Sequence, residues 1–198
     1  MAGIGKRRWV TGVFILLVAA AVFLLLDFRL LRGQFNAEHQ VSTFTFGNEG
    51  PQEIAQGQDV DLYMQGTNWI TRGMVGSMIQ ALEANPRIGD VRLREGPPQP
   101  AGSPVLVVRV DEADLLWALV YGQARVKLHA SYATNGAVDW MDDETVISVP
   151  GPYTKWISGD FTAQDRSFGL ISLPGYASYL GQQFGARISE ALSMALKE

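Results

Sequence analysis

The chain has 198 residues, sixteen basic and twenty acidic, with a net charge of −4 and no cysteine; it therefore lacks disulfides, a thiol nucleophile, thiolate metal sites and a lipid-modified cysteine. Five basic residues (Lys6, Arg7, Arg8, Arg29, Arg32) and one acidic residue (Asp27) fall in the first 32, so the other 166 residues carry eleven basic against nineteen acidic side chains, a net −8. That balance speaks against nucleic acid and anionic headgroups as partners, because both need basic patches, while 166 residues suffice for one good core.

Trp9 to Leu26 reads WVTGVFILLVAAAVFLLL, eighteen residues without a charge. As a helix the run would be roughly 27 Å long, close to the roughly 30 Å of a bilayer's hydrocarbon core. A cleaved signal peptide has a shorter apolar stretch ending in a small-residue site. Here Ala19 to Ala21 lie mid-run and Val22 to Leu26 follow, so an uncleaved signal anchor is expected. Lys6, Arg7 and Arg8 before the run outweigh Arg29 and Arg32 after it. The positive-inside rule then predicts residues 1–8 in the cytoplasm, a single pass of the plasma membrane over 9–26, a juxtamembrane tether over 27–40 and an extracytoplasmic domain over 41–198.

Phe28 to Gln40 mixes charges with leucines, and the helix is expected to continue a turn or two before the tether. Val41 to Phe46 and Val60 to Met64 alternate as strands, with a Gly- and Gln-rich loop between them. Thr67 or Asn68 can cap a helix to about Ala84 whose stripe is Ile70, Met74, Met78, Ile79 and Leu82; Asn85 and Pro86 end it. Gly73 and Gly76 inside it point to close approach of a neighbour. Val91 to Arg94 and Val105 to Val110 read as strands around a proline-rich loop, and Asp111, Glu112 and Asp114 as a solvated loop.

Leu115 to Tyr121, LLWALVY, is the most apolar run beyond the first helix. It reads as a strand buried on both faces or as an exposed apolar edge touching lipid or a membrane partner. Ala124 to Tyr132 alternates strictly and Asn135-Gly136 suits a two-residue turn, which would place Lys127 opposite Glu144 and His129 opposite Asp142. Asp139, Asp142, Asp143 and Glu144 form the dense carboxylate cluster. Along a strand they point to alternate faces and do not converge as a glycosidase pair or a calcium loop would. Pro150 to Trp156 is expected as a loop that offers Tyr153 and Trp156 as contacts. Ser158 to Ser172 shows no clear period beyond a short strand at 168–171. Ser172 and Pro174 start a last helix with Ala177, Leu180, Phe184, Ile188, Ala191, Leu192, Ala195 and Leu196 inward; Gly181 and Gly185 are expected to pack closely on the sheet.

These parts predict an α+β fold: an N-terminal transmembrane helix, then an antiparallel sheet with two helices packed on one face. The order IQALEANPRIGDVRL, VLVVRV and ARVKLHASYATNGAVDW resembles that of the envelope lipoproteins that assist lipopolysaccharide assembly and of the auxiliary lipoproteins of lipid-transport ABC systems. The resemblance covers roughly Val60 to Leu196 and departs from those families in having an apolar helix where they have a lipidated cysteine. It implies a non-catalytic accessory role. No G-x-S-x-G, H-E-x-x-H, Walker or Rossmann pattern occurs, and the sequence names no catalytic residue, metal ligand or cofactor. The expected function is an accessory or structural subunit of a membrane or envelope complex, with membrane and envelope proteins as partners. The alternative is a module binding a lipid or other apolar ligand between sheet and helices. Candidate partner or lipid contacts are Leu115, Leu116, Trp117, Leu119, Tyr121, Tyr153 and Trp156.

Overall fold

The computed structural model describes residues 4–25, 32–46, 57–66, 69–96, 103–134, 139–141, 144–146 and 154–196. The chain enters through α1 (Ile4–Leu25), 22 residues of helix. Over the described side chains, which on α1 run from residue 11 to residue 21, no helix is long and apolar enough to cross a membrane. The backbone is helical over all of α1, and its uncharged sequence continues to Leu26.

Among the described residues the remainder is α+β. Strands β1 (Arg32–Phe46), β2 (Gln58–Gln65), β3 (Ile88–Arg94), β4 (Val105–Ala118), β5 (Tyr121–Ala133) and β8 (Thr154–Phe168) form one sheet in the order β1-β8-β5-β4-β2-β3. The short strands β6 (Asp139–Met141) and β7 (Glu144–Val146) pair only with each other. The sheet is mixed, which corrects the expected antiparallel one: β2 pairs parallel with both β3 and β4. The reason is α2 (Trp69–Glu83), which carries the chain across between β2 and β3, the crossover that parallel neighbours require.

Four further expectations change. Residues 32–40, assigned to the tether, lie in β1, which pairs along its whole length with β8 from Arg32↔Phe168 to Phe46↔Thr154. The segment after Trp156, read as loop and irregular chain, is the long strand β8 held between β1 and β5. Asp111, Glu112 and Asp114 belong to β4, with the register shifting between Val110 and Glu112. Finally, β5 turns back onto β4 through Leu119 and Val120 and not through Asn135-Gly136, a dipeptide outside the described residues. LLWALVY is thus the crest of a hairpin rather than a buried strand.

Both α2 and α3 (Leu173–Ala195) pack on one face of the sheet, as expected. Leu62, Leu106, Val126, Leu128 and Phe161 from the strands meet Met74, Met78 and Leu82 of α2 and Leu180, Phe184 and Ile188 of α3 in one buried cluster. Ser172 caps α3, its hydroxyl accepting from the Gly175 N–H at 3.1 Å, which satisfies one otherwise orphaned donor. At the other end Asn85 stops α2 and ties it to α3, donating from Nδ2 to Ser193 Oγ at 2.8 Å and to the Ser189 carbonyl at 3.2 Å.

The close approach predicted for the glycines is helix on helix, not helix on sheet. A Cβ added at Gly181 would lie 2.1 Å from the Met74 carbonyl oxygen, one at Gly185 2.7 Å from that of Met78, and one at Gly73 2.7 Å from the Ala177 Cβ. Gly76 meets nothing within 4 Å. Gly181→Ala is therefore expected to cost about 1–3 kcal/mol by forcing the helices apart. Gly76→Ala should gain up to about 1 kcal/mol of helix propensity. Denaturant titrations of the full chain in mild detergent check both; equal effects would mean that the glycines do not set the helix spacing.

Candidate functional site

Four strand ends converge where the chain arrives from α1. Arg32 of β1 pairs with Phe168 of β8, and Phe168 with Tyr121 of β5, while Tyr121 pairs with Ala118 of β4. On this end Leu116 (62 % exposed), Val120 (57 %) and Phe168 (59 %) stand out, with Leu119 and Leu170 beside them. The crest is braced. The Gly169 N–H donates to the Val120 carbonyl at 3.1 Å, the Ile171 N–H to the Leu119 carbonyl at 3.3 Å, and Trp117 Nε1 to the Ile171 carbonyl at 3.1 Å. The Tyr121 and Phe168 rings lie 5.1 Å apart. Two stretches far apart in sequence, 115–121 and 168–171, are thereby held as one apolar end.

Behind it lies a buried carboxylate. Asp165 of β8 is 1 % exposed; its Oδ2 accepts from the Tyr176 hydroxyl at 2.5 Å and the Ser167 hydroxyl at 2.7 Å, and its Oδ1 has no hydrogen-bond partner. Tyr176 reaches it across Gly122, where an added Cβ would be 2.9 Å from the ring. Burial first, and then the bond to Asp165, push the Tyr176 hydroxyl far above its ordinary pKa. Burial and the same carboxylate raise Tyr179 to about 12. The cluster fastens the first turns of α3 to the strand that ends in Phe168.

On the opposite face of the sheet His129 Nδ1 lies 2.7 Å from Asp160 Oδ1, and its Nε2 lies 3.0 Å from Ser158 Oγ and 3.2 Å from Ser131 Oγ. These are distances at which a nucleophile, a base and an orienting acid can act. Among the described residues, however, the rest of such a site is not assembled. The backbone N–H groups of β8 are spent on ladders to β1 and β5, so they are not available to an oxyanion, and the Asp160 side chain is 75 % exposed. The four side chains are read as cross-strand surface pairing. It replaces the expected His129–Asp142 pair, just as Lys127, 3.0 Å from Glu112, replaces Lys127–Glu144. The hydrogen bond from Lys127 holds the Glu112 carboxyl below its ordinary pKa, with the charges of Lys127 and Arg125 adding to it.

Six of the seven candidate contacts are described, and those six do not form one surface. Leu116 and Leu119 are exposed on the crest, Tyr121 is half-buried there, and Leu115 and Trp117 pack against the core. Trp156 sits in β8 rather than on a loop, against Phe44 at 5.3 Å between ring centroids; twelve residues at about 3.3 Å each put it roughly 40 Å from Phe168. Tyr153 lies outside the described residues, as do Asp142 and Asp143 of the acidic cluster, whose other members fall on β6 and β7. Val120, inside the 115–121 run but not among the seven, lies on the β4–β5 turn, whereas Phe168 and Leu170 were missed because only the pairing of β5 with β8 brings them to the crest. Among the described residues no group of three or more His, Asp or Glu side chains is placed to hold a metal. Two hollows are notable. A polar depression of about 270 Å³ on the outer face is lined by Gln34, Asn36, Gln123, Arg125, Gln164 and Arg166 among others, and an apolar gap of about 10 Å³ lies between sheet and α3 near Leu106, Tyr132 and Ile188.

No family model and no curated protein matches the chain. Among solved structures, the PelC dodecamer from Paraburkholderia phytofirmans is similar at 15 % identity and a TM-score of 0.40, covering 77 % of this chain and 97 % of that one. A point variant of the same PelC dodecamer is similar at 16 % identity and a TM-score of 0.36, covering 76 % and 98 %.

Replacing Tyr176 by Phe removes one of two donors from a buried carboxylate and is expected to cost about 1–3 kcal/mol at neutral pH. The tyrosines also set an alkaline limit. Because folding raises the pKa of Tyr132, Tyr176 and Tyr179, their stabilisation is complete below the unfolded value of about 10 and fades as pH climbs above it. Urea midpoints measured between pH 8 and 11.5 should hold steady and then fall from about pH 10; a flat profile would contradict the burial.

Proposed function

We propose that the chain is a single-pass, membrane-anchored accessory subunit of an envelope complex, non-catalytic, with Trp9 to Leu26 spanning the bilayer and the α+β domain outside the cytoplasm. The observation that carries this reading is α1 itself. It is helical for 22 residues, and its described side chains from Val13 to Val18 are exposed, Leu16 by 72 %. A row of large apolar side chains left uncovered calls for an apolar solvent. Lys6, Arg7 and Arg8 favour the cytoplasm for the preceding residues.

The domain supports the accessory part of the reading through what its polar groups do. Asp165 is committed to fastening α3, and His129 to cross-strand bonds beside a β8 backbone whose N–H groups are already paired. The resemblance to envelope accessory lipoproteins points the same way, with a helix in place of the lipid. The alternative, an apolar ligand held between sheet and helices, is less favoured: the gap of about 10 Å³ there is the size of a single water probe.

Two outcomes are expected. The full chain should stay in the membrane pellet through an alkaline carbonate wash, and the Leu16→Arg, Val18→Arg double variant should leave it, since each charge at mid-helix costs about 2.5–3.5 kcal/mol. Crosslinking in cells should place the chain in assemblies larger than itself. A wild-type chain extracted by carbonate would refute the anchor, and free monomer alone under several growth conditions would refute the accessory role.

A further inference from the structure

We propose that the crest of the sheet, formed by Leu116, Leu119, Val120, Phe168 and Leu170, is seated in the interfacial layer of the bilayer that α1 spans. This rests on the membrane reading of α1 and adds to it an orientation and a second, lipid-binding surface on the domain.

The connection sets the geometry. Six residues, 26–31, separate the end of α1 from Arg32, and at most about 3.6 Å per residue they reach no farther than about 25 Å. Arg32 is paired directly with Phe168, and Tyr121 is the next partner across the sheet. Neighbouring strands lie about 4.8 Å apart, so the point where the chain enters the domain is within roughly 10 Å of the crest. The opposite end of β8, at Trp156 and its partner Phe44, is roughly 40 Å away along the strand. A tether shorter than the sheet holds this particular end toward the membrane.

The crest suits that place. Its exposed side chains are aliphatic or phenyl, while Tyr121 and Trp117 behind them have their polar atoms engaged, by Gln123 Oε1 at 2.8 Å and by the Ile171 carbonyl at 3.1 Å. Apolar body with satisfied polar tip is the pattern of aromatic residues at membrane interfaces. Behind the crest on the outer face come Gln123, Gln164 and Arg166, side chains able to meet headgroups, and Arg125, which is shared with Glu112 at 3.6 Å. Asp114 lies opposite Arg125 in the β4–β5 register. The bonds from Gly169 and Ile171 to the hairpin turn fix the crest before it meets lipid, so insertion need not order a loose loop. The net −8 of residues 33–198 argues for a zwitterionic surface rather than an anionic one.

The absence of cysteine makes the test direct. Single variants Val120→Cys, Phe168→Cys, Phe44→Cys and Val18→Cys of the full chain are labelled with an environment-sensitive fluorophore and reconstituted into phosphatidylcholine vesicles, with and without lipids carrying a quencher at shallow or deep acyl positions. Labels at Val120→Cys and Phe168→Cys should emit in the blue and be quenched by the shallow lipid at least two-fold more than the label at Phe44→Cys, and the Val18→Cys label should be quenched by the deep one. Water-like emission at both crest positions with a quenched Val18→Cys label overturns the crest proposal alone. Blue emission at the crest without lipid quenching means that protein covers it, a second copy or another partner, and also overturns the proposal. A Val18→Cys label that no lipid quenches overturns this proposal and the anchor together.

Discussion

The pairing of β1 with β8 is the constraint on which the arrangement depends. The strand that follows the apolar helix is joined residue for residue to a long interior strand, from Arg32↔Phe168 to Phe46↔Thr154. Six residues of slack remain between helix and domain, where the sequence suggested a tether of fourteen. A domain on a long tether explores all orientations, whereas one joined through six residues at a strand end presents that end to whatever holds the helix. On the proposed membrane reading, orientation thus follows from one ladder of hydrogen bonds.

The rest of the domain stabilises that ladder. On the helix side, β8 places Ile157, Phe161 and Ala163 in the common core and Asp165 and Ser167 beneath Tyr176. A buried carboxylate is a costly choice for stability alone, yet its bond to Tyr176 ties the start of α3 to the strand end that carries Phe168. Farther along, α3 lies against α2 at a separation that Gly181, Gly185 and Gly73 permit. Crest, carboxylate and glycine contacts therefore lie along one path, from the surface of the sheet end into the two-helix layer.

How much of this the sequence shows depends on how each residue meets its neighbours. The stripe of Ile70, Met74, Met78 and Leu82 and the Ser172 cap are local signals, and both are found in the structure. The strand β8 escapes because its inward positions include Gly159, Asp165 and Ser167, which hide the alternation of Ile157, Phe161 and Ala163. Asp111, Glu112 and Asp114 read as solvent loop because the partners of Glu112, Lys127 and Arg125 on β5, are visible only once the register is known, while Asp111 pairs with Arg109 on its own strand. The Asn-Gly dipeptide suggested one hairpin, while the chain turned back earlier at Leu119 and Val120. The same long-range pairing hides the candidate site: Leu116, Leu119 and Tyr121 stand out as apolar in sequence, but Phe168 and Leu170 join them only across the sheet.

A helix through the membrane with the domain outside it is tested best by chemical access in whole cells. Single cysteines at Gly5→Cys and Leu93→Cys in the full chain, expressed in a bacterial host and exposed as spheroplasts to a membrane-impermeant maleimide, report the two sides separately. Rapid labelling of the Leu93→Cys chain is expected, with labelling of the Gly5→Cys chain only after the membrane is opened. Equal protection of both, or labelling of Gly5→Cys with protection of Leu93→Cys, would contradict that arrangement.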